Sequence, residues 1–145
     1  MKPIWIFTIC LAVAGCGGHR DLKEYTLDEQ SFDSEAMVKV EQESGISLPD
    51  SAKGLAFHHI PPIDPIVFAK IQISDNALES LTKQIGTLKE IEFPNDFAYD
   101  RCNWWPPPPE HVVLSKRASN NGYYIELHLV KENGNLILYI QYFTI

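Results

Sequence analysis

The residue pattern predicts an α+β fold. The expected architecture is a two-layer sandwich, with a mostly antiparallel sheet of about five strands and two helices on one face. Three observations carry this. Asn121-Gly122 and Asn133-Gly134 are both two-residue hairpin signals between apolar runs. Val67, Ala69, Ile71 and Ile73 alternate with Lys70 and Gln72, as a half-covered strand requires. Two other stretches repeat their apolar residues every three to four positions, as amphipathic helices do.

The elements follow in chain order. Thr26-Leu27-Asp28-Glu29 fits a capping box, and Phe32, Ala36 and Val40 then mark one stripe. A helix is expected from there to about Ser44, with Gly45 as its left-handed stop. Leu48-Pro49 forces an extended link. A strand is expected over Leu55 to Ile60 and a rigid turn over Ile60 to Pro65, before the alternating strand over 66–73. Ser74-Asp75 is read as a cap for a second helix, with Leu78, Leu81 and Ile85 as its stripe and Gly86 as its end. Residues 87–110 read as a long irregular loop ending in "NWWPPPPE".

The hairpin at Asn133-Gly134 sets a register. Leu129 faces Leu138, Leu127 faces Ile140 and Ile125 faces Tyr142, an apolar side that should meet the helices. The other side pairs Val130 with Ile137, His128 with Tyr139, Glu126 with Gln141 and Tyr124 with Phe143. The same geometry at Asn121-Gly122 sets Arg117 opposite Glu126, an ion pair across strands. It also sets Lys116 on the core side.

The N-terminus is a different kind of segment. Lys2 is followed by an almost wholly apolar run from Ile4 to Ala14. As a helix, eleven residues rise about 16 Å, short of the ~30 Å hydrocarbon core. A basic start, an apolar middle and small residues before a cut describe a secretory signal peptide. The run "LAVAGC" resembles the lipobox of bacterial lipoproteins. That resemblance implies cleavage between Gly15 and Cys16, with Cys16 acylated as the first residue of the mature chain. Residues 1–15 are then the signal, 16–25 a flexible lipid-anchored tether and 26–145 one domain. Gly17 stands where an inner-membrane retention signal would carry Asp. The implied place is the periplasmic face of the outer membrane, if the host has two membranes. Residues 45–145 resemble small secreted or lipid-anchored bacterial proteins with "LPDSA"-like and "FAKIQI"-like segments and a Trp-Trp-Pro patch; no activity follows from that likeness.

Composition narrows the partners. The net charge of −7 becomes −8 when the single cation of Lys2 leaves with the signal. An acidic chain argues against nucleic acid, and it offers no polybasic patch to a lipid surface. The expected membrane link is the lipid on Cys16 alone. Of the three cysteines only Cys102 would remain unmodified, so no internal disulfide is expected.

No catalytic constellation stands out. His58-His59 point to opposite faces of a strand, and neither Asp64 nor His111 lies at ligand spacing from them, so no metal or other cofactor is expected. Cys102 with His111 as base is the hydrolase alternative. Ser51 and Ser115 lack a G-x-S-x-G setting. Asp96 and Asp100 read as solvated. Trp104 and Trp105, with Tyr124, His128, Tyr139 and Phe143 on the second sheet face, are the candidate partner-binding residues. One tryptophan is also suited to plugging the core. Were the long loop to fold over that face, both signals would have one structural explanation. The leading expectation is a non-catalytic lipid-anchored module that binds an envelope protein. An immunity-type inhibitor of an envelope-acting toxin is the other alternative.

Overall fold

The computed structural model describes residues 20–61, 63–92 and 101–145. Residues 1–15, expected as a signal, and Cys16, Asp96 and Asp100 lie outside the described residues.

Seven strands form one antiparallel sheet. They are β1 (Tyr25–Asp28), β2 (Lys53–Ile60), β3 (Ile66–Ile73), β4 (Lys89–Glu90), β5 (Val112–Asn120), β6 (Tyr123–Glu132) and β7 (Asn135–Thr144). The spatial order is β1-β2-β3-β7-β6-β5-β4. The expected architecture therefore holds, with seven strands rather than about five. The two extra strands are the short edges, four and two residues long, too brief for an alternation to show.

The first helix, α1 (Ser34–Ser44), starts later than the capping box suggested. Thr26 is paired with His58 in the sheet instead. Asp28 closes that strand: its carboxylate accepts from the Gln30 and Ser31 amides at 3.1 and 3.0 Å. Asp33 is the true cap, accepting from the Ala36 amide at 3.0 Å. Ala36, Val40 and Ser44 are the buried stripe. Gly45 at φ 70° ends the helix as expected, its N–H bonded to the Glu41 carbonyl. The second helix, α2 (Leu78–Thr87), buries Leu81 and Ile85 and runs through Gly86. Ser74 makes no capping bond; a short turn, Asp75–Ala77, leads into the helix instead.

Both helices pack on one face of the sheet. That face carries Val67, Ala69, Ile71 and Ile73 of β3, Ile125, Leu127 and Leu129 of β6, and Leu138, Ile140 and Tyr142 of β7. At roughly 25 cal/mol per Å² of apolar area, this layer is the main source of stability. Gly54 shows how tightly its rim is packed: a Cβ there would lie 2.1 Å from the Phe32 ring.

The hairpin registers are those expected. Ile125 pairs with Tyr142, Leu127 with Ile140, His128 with Tyr139 and Tyr124 with Phe143. Both Asn-Gly turns have positive φ at both residues, 49° and 82° in one and 50° and 81° in the other. Arg117 pairs with Glu126. Lys116, on the helix side, reaches past the sheet edge and donates to the Gly86 carbonyl at 3.1 Å. That places a cation on the last turn of α2, where the helix dipole favours it.

Candidate functional site

The second face of the sheet is covered by the segment 101–111. Cys102, Trp105 and Pro107 point inward, and exposed residues separate them. The Trp105 amide bonds the Cys102 carbonyl at 3.1 Å, which makes the turn that aims the indole at the sheet. The start of the segment is tied down by charge. Arg101 donates to one oxygen of Glu24 at 2.7 Å, and His58 meets the other at 2.9 Å. The hydrogen bond from His58, helped by Arg101, holds the Glu24 carboxyl below its ordinary range.

This cover answers the question of the aromatic residues. Trp105 is 4 % exposed, and its ring packs against Phe68 at 5.5 Å and His128 at 5.3 Å. Tyr124, Tyr139 and Phe143 are buried in the same cluster with Ile60, Ile66, Val130 and Ile137. Trp104 is half-buried and touches Phe68 and Tyr139. Of the six candidate contact residues, only Trp104 and His128 retain partial access. The expected open aromatic surface is a second core, closed because buried tryptophan area outweighs the cost of ordering a short, proline-stiffened loop.

Other candidates fall away on geometry. Cys102 is buried, and burial pushes its thiol up to about 11, far from a reactive thiolate. Among the described residues no hydrogen bond joins Cys102 to His111. His58 and His59 do face opposite sides of β2, beside Phe68 and Val67 respectively. Both are buried. Among the described residues no group of three or more His, Cys, Asp or Glu is placed to hold a metal. No described helix is long and apolar enough to cross a membrane.

What remains accessible is a groove between the proline segment and the β5–β6 pair. It encloses about 600 Å³ and is walled by Pro106, Pro107, Pro109 and Val112. Its floor holds Ser115, Arg117, Glu126 and His128, and an adjoining groove runs from the same four residues to Glu90 and Glu92. The floor is one connected network. Ser115 Oγ lies 3.0 Å from His128 Nδ1, and His128 Nε2 lies 3.1 Å from Glu126 Oε1. Arg117 donates to that oxygen at 3.3 Å, and the Tyr124 hydroxyl donates to Oε2 at 3.1 Å. Glu126 is 3 % exposed, so these donors are what hold its charge in place. Beside it Lys70 donates to Glu132 at 2.8 Å, and Tyr139 donates to the same carboxylate.

Sequence reasoning weighed Ser115 only for a G-x-S-x-G setting and the proline run only as a loop or cover, and did not bring the two together at His128. The signal for Ser115 was present: the register that faces Arg117 with Glu126 also faces Ser115 with His128. The chain matches no protein-family model, no curated protein and no solved structure.

Proposed function

We propose that this chain is an envelope-tethered binding module that holds an extended basic segment of another envelope protein in the proline-walled groove. The tether is the lipid on Cys16 that the "LAVAGC" run implies. Two acyl chains or more hold stably, since each buried methylene contributes about 0.8 kcal/mol. The groove carries the reading. It is where reachable polar side chains, with Arg117 at 42 % side-chain exposure, meet an apolar proline rim. A few fixed polar groups on an apolar wall are what recognition sites share. Glu90 and Glu92 line the adjoining groove that shares its floor, and on a chain of net charge −7 they favour a basic occupant.

The test is site-specific photo-crosslinking in intact envelopes, with the crosslinker at Arg117 or Val112 and a control at Lys83 on the opposite face. A discrete crosslinked protein from Arg117 or Val112, absent from Lys83 and weakened in Cys16→Ser, is the expected result. Equal crosslinking from Lys83, or none from the groove of a folded and lipidated protein, would reject the reading.

A further inference from the structure

We infer that Ser115 is an acyl-transfer nucleophile, with His128 as its general base and Glu126 as the positioning residue behind the imidazole. This goes beyond the binding reading and uses the floor of the same groove. Its basis is a continuous chain of three hydrogen-bonded groups: Ser115 Oγ to His128 Nδ1 at 3.0 Å, then His128 Nε2 to Glu126 Oε1 at 3.1 Å. A nucleophile bonded to a base that a third group orients is the arrangement that activates a hydroxyl.

The tautomer follows from the partners. A carboxylate accepts only, so the proton sits on Nε2 and Nδ1 is left to accept from the serine hydroxyl. The ring is therefore used in the opposite sense from the familiar serine-protease arrangement, where the serine meets Nε2. Either nitrogen serves, provided the other is held by the carboxylate. Glu126 is fixed for that task by the Arg117 and Tyr124 donors. Trp105 lies against the His128 ring and keeps bulk water from one side of it. Ser115 itself is exposed at the groove floor, where a substrate can reach it. Arg117, two residues along the same strand, shares the groove floor with Ser115 and supplies a cation beside it.

The substrate class is a carboxylic ester on a chain with an apolar flank for the proline wall. Ser115 Oγ passes its proton to His128 Nδ1 and bonds the carbonyl carbon. The ester C–O bond then breaks, and the leaving alkoxide takes the proton from Nδ1. Water next gives a proton to Nδ1 as it attacks the acyl carbon. The Ser115 ester bond breaks, Oγ recovers that proton, and a carboxylic acid leaves.

A fluorophosphonate probe on the mature chain in detergent tests this. The expected result is one phosphonyl adduct mapped by mass spectrometry to Ser115, absent in Ser115→Ala. General-base assistance contributes about 10²–10⁴-fold, so His128→Asn should slow labelling by about 100-fold or more. If His128→Asn does not fold, the unaltered chain decides: Ser115 should label in the folded state and not in urea, where the hydrogen-bonded chain is broken. No adduct at Ser115, or a rate indifferent to His128 or to unfolding, overturns the inference. Crosslinking from position 117 reads binding and phosphonyl labelling reads the nucleophile, so failure of one is told apart from failure of the other.

Discussion

The two faces of this sheet are closed in different ways. One face is apolar from β1 to β6, apart from His59, and is covered by two amphipathic helices. The other mixes aromatic residues with Glu126, His128, Gln141 and Lys70, and its cover is one short segment led by Trp105. The helix side can be closed by any regular element with the right stripe. The loop side depends on a single large side chain, and its buried polar groups must be satisfied by one another. On that side Glu126 and His128 line the groove beside the segment.

The largest expected break comes from that dependence. Trp105→Ala should cost about 3–5 kcal/mol in urea unfolding, the range for emptying a buried tryptophan site. The variant that does fold should bind a hydrophobic dye, because Phe68, Tyr139 and Phe143 lose their cover. A cost under 1 kcal/mol would mean that Trp105 is not the plug.

A smaller effect belongs to the helix side. His59 sits there beside Tyr25, with Nδ1 3.4 Å from the Lys23 carbonyl, and burial lowers its pKa. The neutral form is thus favoured in the folded state, and the unfolded chain binds the extra proton first. This contribution is complete above the ordinary histidine value near 6.5 and is lost as pH falls from there through the lower folded value. The lowered carboxyls of Glu24, Asp28 and Glu132 act in the same sense but only below the carboxylate range near 4.5. Stability measured from pH 7.5 to 5 should therefore decline, and His59→Leu should flatten that decline. An unchanged slope in the variant would assign it to other groups.

The contrast also explains what the sequence could reveal. The helix side was legible because its signals are periodic: Ala36 and Val40, Leu81 and Ile85, and the alternation of β3. The Asn-Gly turns carried the register of β5, β6 and β7 down to individual pairs. The start of α1 was misplaced because Thr26-Leu27-Asp28-Glu29 suits a cap locally, while pairing with β2 uses those backbone groups better. The loop side was legible only as a choice between an open aromatic surface and one covered by "NWWPPPPE". Periodicity cannot decide that, since it depends on where an irregular segment comes to rest. Ser115 was passed over because a motif was sought along the chain, while its partner His128 lies across the strand.

The central claim is that Trp105 seals the second face and so confines the accessible chemistry to the groove at β5. It is tested most directly by tryptophan fluorescence of a chain of residues 16–145 carrying Trp104→Phe, which leaves Trp105 as its one indole. The account predicts blue-shifted emission that acrylamide barely quenches in the folded protein, and full quenching on unfolding. Red-shifted, freely quenched emission from the folded chain would contradict it, and would return Trp105 and the aromatic face to the surface.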